Sequence, residues 1–438
     1  MSQIQPRIDA PFDRLPESVT SDIFVLIWRG HNGLDETWRG IHLRRVPYIL
    51  SAVSHRWRMI TLSTSRIWVL IDLSLGTELL AAHLARSKTL PIGVELALGD
   101  EHSIDLRETL QILNETESWA RTSHLNALLS LERIGVLVDA LNSTTNANTT
   151  GIYQSITIKS SAKWRPDDMD IAPTELKLLI PQSQALRSIH LDYVGLSSIS
   201  DLPLFRLPGL ESLEMNDVEN VLPDSLLLFL DSTPNLKELS LAFCRLQSMS
   251  GATAAPRPRH SITLAKLESL AICGTEGIAG LNLLFRTLNM PKLWFLVLFV
   301  CSNRGWTGLD WEAICRSGAF RCLGLRGLPS QALAGLLAHI NAQDRLICLQ
   351  INGNSFTTPD EFMGQLAHRL LDATYCPRLL NLLVLFPLNI EYMEALKELK
   401  RARPSLCIRV RSDASGCKDG DELLIADSEE NHRENSSH

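Results

Sequence analysis

No stretch of this sequence is long and apolar enough to span a bilayer. The most apolar one, Leu379 to Ile390, is interrupted by Asn381, Pro387 and Asn389. No apolar run follows Met1, so a secretory signal is not expected. Positive charge is not in excess: the net charge is −7 and the pI about 6.0, against a general nucleic-acid binder. Nine cysteines run from Cys244 to Cys417, yet no Cys-x-x-Cys pair has a matching partner, which excludes a zinc ribbon and a redox motif. They read as small hydrophobes in a reducing compartment. Also missing are a Gly-x-Ser-x-Gly elbow, a P-loop, a dinucleotide Gly-x-Gly-x-x-Gly and a His-Glu-x-x-His pair. The twelve histidines are dispersed, and His83 has no second ligand at metal spacing. The expectation is an intracellular protein, cytoplasmic or nuclear. It should not be an enzyme and should have no catalytic residue, metal, cofactor, nucleic-acid or membrane partner.

What is present is enough apolar material for a large core. The 438 residues are 45% hydrophobic and 21% charged, near globular averages. The start carries the most organised stretch. Leu15-Pro16-Glu17 sets a helix start, with the proline where its missing N–H costs nothing and the carboxylate near the positive end of the dipole. Val19, Ile23 and Leu26/Ile27 follow at helical spacing. A second helix is predicted from Pro47, with Ile49, Val53, Trp57 and Ile60 as its stripe. Each stripe is too short to fold alone.

Leu15-Pro16-Glu17, Ile23-Phe24 and Val53-Ser54-His55-Arg56-Trp57-Arg58 stand in the order of an F-box. Thr61-Leu62-Ser63-Thr64-Ser65-Arg66-Ile67-Trp68 is similar to the continuation common in fungal F-box-like proteins. The chain departs from the pattern in Ser54-His55, where Cys-Arg is usual, and in the longer polar connection from Arg29 to Arg45. The resemblance implies a helical module that docks to the Skp-type linker of a cullin–RING ubiquitin ligase, through Leu15, Pro16, Ile23, Val53 and Trp57.

Beyond this segment, strands are predicted at Val69–Leu73, Ile92–Leu98 and Tyr153–Ile158, with a helix over Glu78–Lys88. Two amphipathic helices are expected between Ile104 and Leu141, broken near Arg121-Thr122-Ser123, and a surface loop over Asn142–Thr150. An L-x-x-L-x-L template then recurs: Leu186-Ile189-Leu191, Leu210-Leu213-Met215, Leu236-Leu239-Leu241 and Leu267-Leu270-Ile272. It continues as Leu293-Leu296-Leu298, Phe320-Leu323-Leu325, Leu346-Leu349-Ile351 and Leu380-Leu383-Leu385. Helix-like segments fall between them, at Pro223–Leu230, Ile278–Leu288, Leu309–Cys315, Gln331–Ile340, Pro359–Leu371 and Ile390–Lys400. This resembles a leucine-rich repeat, in a degenerate form. Only Cys244, Cys301 and Asn354 occupy the usual asparagine or cysteine position, and Val194, Val218, Thr275 or Leu328 stand there elsewhere. An αβ sandwich with coincidental leucine spacing is the competing reading. Gln247–Ser261, with Arg257, Arg259 and His260, reads as a solvated loop.

The fold class expected is α/β: an N-terminal all-helical F-box module over residues 1–75, then an irregular leucine-rich-repeat-like strand–helix solenoid over 76–411. An acidic tail without fixed structure would follow over 412–438. The function implied is substrate receptor of an SCF-type ligase, with the repeats holding an unknown target protein. The alternatives are a non-catalytic scaffold outside any cullin complex and a hydrolase or small-ligand protein hidden in the repeats. Residues between template leucines should face outward. Most are small or polar, but Phe295, Val297 and Phe299, and Leu382, Val384 and Phe386, form two apolar stripes and are the candidate target-binding residues.

Overall fold

A computed structural model of the chain describes residues 11–30, 46–97, 105–146, 152–161, 176–178, 184–196, 207–218, 221–246, 261–274, 277–299, 308–328, 330–352, 360–385, 390–411 and 422–424. The chain forms two compact units: residues 1–172 with 178–186, and residues 173–177 with 187–438.

The first unit opens with α1 (Glu17–Gly30), α2 (residues 46–53) and α3 (His55–Ser63). One continuous helix from Pro47 is therefore broken at Ser54. Its extended backbone and hydroxyl, which accepts from the Trp57 N–H at 3.1 Å, cap a new helix. Phe24, Val25, Val46, Leu50, Ile60, Ile67 and Trp68 form the core here. Strand–helix alternation then begins: β1 (Leu70–Asp72), α4 (Thr77–Ser87), β2 (Ile92–Ala97), α5 (Leu106–Glu115), β3 (Thr122–Leu129), α6 (Leu131–Asn146) and β4 (Ser155–Ser160). The strands pair in parallel in that order.

Residue 75 is not a boundary between these parts. Trp68 is buried, with its indole N–H donating to the Thr61 carbonyl at 2.8 Å. The rings of Tyr48 and His83 meet it edge-on at 5.8 and 4.8 Å, and the Arg86 guanidinium lies 4.4 Å over it. Those contacts come from α2 and α4, so the helical segment shares its core with the first strand–helix unit. Thr122–Leu129, expected to start a helix, is a strand instead. From Ser123 onward its side chains alternate between buried and exposed, a period of two that the leucine and alanine content obscures. Residues 142–146, expected in a loop, complete α6.

In the second unit β5 (Leu176–Leu178) and β7 (Val194–Leu196) form a minor pair. The main sheet runs β6 (Ser188–Asp192), β8 (Ser212–Asn216), β9 (Glu238–Ala242), β11 (Ser269–Cys273), β13 (Phe295–Phe299), β14 (Cys322–Arg326), β15 (Cys348–Asn352), β16 (Asn381–Val384) and β17 (Cys407–Arg411). All of these pair in parallel and in register. A second minor pair joins β10 (Ile262–Thr263) to β12 (Leu288–Asn289). The helices are α7 (Pro223–Asp231), α8 (Ile278–Thr287), α9 (Trp311–Ser317), α10 (Ser330–His339), α11 (Asp360–Leu370) and α12 (Ile390–Ala402), close to the expected ranges. Part of the expected tail is ordered: β18 (Glu422–Leu424) pairs antiparallel with β17. The insertion over 247–260 lies outside the described residues.

Every template leucine from Leu186 to Ile351 is buried, as the repeat requires. The last unit is one residue off. Leu379, Leu382 and Val384 are inside, and Leu380, Leu383 and Leu385 are not. The run Leu-Leu-Asn-Leu-Leu-Val-Leu fits either register. Pairing decides: Leu382 lies opposite Leu349 of β15, which already points inward.

The strand ends show how the repeat manages without asparagines. Tyr193, Asp217 and Phe243 have φ of 60°, 53° and 54°, and Gly274 and Gly327 have 60° and 69°. Each N–H donates to the last carbonyl of the next strand, at 2.9, 2.8, 2.6, 2.5 and 2.9 Å in that order. A left-handed residue turns the chain while the neighbouring strand holds its N–H, which stabilises a conformation that a tyrosine or phenylalanine alone disfavours. The next side chain, Val194, Val218, Cys244 or Leu328, then drops into the core. Among these, Cys244 also satisfies backbone, its thiol donating to the Met215 carbonyl at 3.4 Å. Cys301, Asn354 and Thr275 lie outside the described residues.

Candidate interaction surfaces

Two surfaces are built from the residues singled out in the sequence. The first is on the N-terminal helices. Pro16 is exposed, and its carbonyl accepts from the Thr20 N–H at 3.0 Å, starting α1. Leu15 is half-buried, held through its carbonyl by the Arg56 guanidinium. Ile23 is half-buried, and Val53 is 57% exposed. Trp57 packs inward, its ring centroid 5.0 Å from Phe12 and 4.9 Å from Phe24.

Thr20, Phe24 and Val25 of α1 are buried, whereas Val19 is exposed, Leu26 is 65% exposed and Ile27 is exposed. Val19, Leu26 and Ile27 thus face away from the core, with Ile23 at its margin. On the next two helices Ile49, Val53 and Met59 are exposed as well, and the interior is Val46, Leu50 and Ile60. Phe24 and Trp68 are core. Ser21 and Thr64 hydroxyls meet at 2.9 Å, joining α1 to the end of α3.

The second surface is the outward face of the sheet in the second unit. Phe295 is 36% exposed, and Val297 and Phe299 are half-buried. Leu382 and Val384 are 1% and 0% exposed, so they are core and drop out of the candidate set. In their place Leu380, Leu383 and Leu385 face outward, and Phe386 lies outside the described residues. Sequence reasoning missed Trp294, which is exposed next to Phe295 with their ring centroids 5.8 Å apart.

The rest of this face changes character strand by strand. On β6 and β8, His190 lies 3.1 Å from the Asp192 carboxylate and 2.5 Å from that of Glu214. The Asn216 amide donates to Asp192 at 2.8 Å and Glu214 at 3.3 Å. At the strand ends Asp217 hydrogen-bonds Tyr193, and burial with Asp192 close by raises its carboxyl to about 6. Tyr193 is raised to about 12, by burial first and then by both acids. Such a cluster can hold charge and accept hydrogen bonds, but it has no nucleophile and base set against a cleft. Among the described residues no group of His, Cys, Asp and Glu is placed to hold a metal ion. The described cysteines are free thiols, and burial raises Cys244 and Cys315 to about 12 and Cys376 to about 11, which disfavours the reactive thiolate.

The fold is that of a parallel strand–helix repeat protein with leucine-rich-repeat-like spacing. No protein-family profile matches the chain, and no curated protein matches it. Among solved structures it is similar to a leucine-rich-repeat protein of Leptospira interrogans. The identity is 14%, the match covers 79% of this chain and 91% of that one, and the TM-score is 0.28. That likeness is too loose to carry an argument, so the reading rests on the strand register and burial described above. No described helix is long and apolar enough to cross a membrane.

Proposed function

We propose that this chain is the substrate receptor of an SCF-type cullin–RING ubiquitin ligase. Its N-terminal helices would dock to the Skp-type linker, and its repeats would hold the target protein. One observation carries the reading: a segment with an F-box order of residues turns Val19, Leu26, Ile27, Ile49, Val53 and Met59 outward. Apolar side chains gathered in this number on short helices are costly to leave in water, and mark a partner site. The chain would contribute no covalent chemistry of its own. It would raise the effective concentration of target lysines near the charged conjugating enzyme.

The test is capture of purified Skp-type linker by the full chain and by a Leu26→Asp/Val53→Asp variant. Both positions are exposed, so the variant should keep the wild-type circular dichroism spectrum while capture falls at least about tenfold. A folded wild-type chain that captures no linker overturns the ligase reading. It would leave a scaffold held by other partners.

A further inference from the structure

The outward positions of the second unit form three rows that run across the strands in register. The first is Ser212, Glu238, Ser269, Phe295 and Cys322. The second is Glu214, Ser240, Ala271, Val297 and Gly324. The third is Asn216, Ala242, Cys273, Phe299 and Arg326. Read across, the acids Glu214 and Glu238 come first. Small side chains follow on β9 and β11, the apolar group on β13 next, and a cation on β14 last. Glu238 is exposed and accepts from the Ser212 hydroxyl at 3.3 Å. Arg326 is exposed, with its guanidinium 4.3 Å over the Phe299 ring. The small residues of β9 and β11 thus lie between the acids and the aromatic residues.

We propose that this strip of the sheet face binds an extended segment of a partner polypeptide that crosses the strands. The segment carries a lysine or arginine, a bulky apolar residue and an acidic residue, in that spatial order. The proposal rests on the target-holding half of the function above and names the chemistry of the target. Strand spacing fixes the intervals. Glu238 and Phe295 lie in one row two strands apart, about 10 Å, whereas Arg326 is three strands over and four residues further along, about 20 Å from Glu238. An extended chain advances about 3.3 Å per residue, so a segment running diagonally across the strands places the apolar residue about three residues from the cation and the acid about six from it. The partner's basic side chain reaches Glu238, beside the His190–Glu214 pair, with its stem on Ser240 and Ala271. Its apolar side chain covers Phe295 and Val297, and its carboxylate meets Arg326. Opposite charges at the two ends fix the direction of the segment, and the apolar contact in the middle supplies most of the affinity.

The test is selection of a randomised displayed peptide library on the purified full chain. Wild type should enrich peptides with cation, apolar residue and acid at these intervals. A Phe295→Ser/Phe299→Ser variant should bind the enriched peptides at least about tenfold more weakly. The exchange variant Glu238→Lys/Arg326→Glu keeps the net charge and both aromatics, and should enrich the opposite charge order. No enrichment by wild type, apolar peptides without a charge order, or the same order in the exchange variant overturns the proposal. So does a Phe295-dependent dimer in sedimentation, which would make a second copy the occupant. Linker capture is measured on the same preparations. Its loss with peptide selection intact overturns the ligase reading alone, and the reverse result overturns this one alone.

Discussion

The N-terminal helices and the strand stack of the second unit use similar apolar residues and dispose of them in opposite ways. In the stack, the template residues from Ile189 to Ile351 go inside and the positions between them stay outside. In the helices, Val19, Leu26, Ile27 and Val53 stay outside while Thr20 and Thr61 are buried. A parallel stack buries one face of every strand between sheet and helices, and each unit repeats the choice of its neighbour. Three short helices have no such template. The difference teaches that an apolar stripe names a core face only where the surrounding fold repeats.

The largest effect should come from Trp68, where the helices meet the first strand–helix unit. Trp68→Ala removes a fully buried indole and should cost about 3–5 kcal/mol. The loss should show in hydrogen exchange of both α2 and α4, since both pack on this indole. Exchange that rises in α2 alone would separate the helices from the first strand–helix unit and sharpen the comparison.

Next in size is the register of β16. Leu382→Ser puts a hydroxyl in the core and should cost about 2–5 kcal/mol, whereas Leu383→Ser, on the outward face, should stay within roughly 1 kcal/mol. Melting temperatures of the two variants measure it. Equal destabilisation would break the contrast between a face that is buried and one that is not.

Acid should act on the two units in opposite directions. His83 is buried against Tyr48, at 2.6 Å from its hydroxyl, and desolvation with Arg86 nearby lowers its pKa to about 4. A histidine held neutral stabilises fully above its unfolded value of about 6.5. That stability is lost as pH falls through 6.5 towards 4, by roughly 3 kcal/mol. Asp217 is raised to about 6, so its contribution is greatest at low pH and is lost as pH rises from about 4 through 6. Protection from hydrogen exchange, taken relative to the intrinsic rate at each pH, should therefore rise in α4 and fall in β8 between about pH 4 and 6.5. His83→Gln should flatten the first trend and Asp217→Asn the second. Both units following one trend would break the assignment.

The smallest effect is on stability at the exposed helix positions. Val53→Ala should change stability by no more than about 0.5 kcal/mol, because little surface is removed from contact. A loss above about 2 kcal/mol in chemical denaturation would mean that this face is core.

Much of the repeat unit was legible in the sequence. The L-x-x-L-x-L positions located seven strands in register, and the intervening helices fell within one or two residues of their expected bounds in most cases. Both signals are local, since a strand repeats every two residues and a helix every 3.6. The candidate site was legible in one half. Phe295, Val297 and Phe299 face outward, because the leucines around them leave a single register. The stripe of Leu382 and Val384 was not, since leucines at both parities make two registers equal until β15 pairs with one of them.

Tertiary structure alone decided the rest, and for one reason: those choices depend on what lies across from a residue, not beside it. The partner strand fixed β16, and strands β2 and β4 on either side drew Thr122–Leu129 into the sheet. Carbonyls of the next strand hold Tyr193, Asp217 and Phe243 in the left-handed turn where the usual asparagine is missing. The shared contact of Trp68, Tyr48 and His83 joined the helices to the first repeat and chose which of their two apolar faces is core. The composition of those helices supplied both faces, and only packing could assign one to the interior and leave the other for a partner.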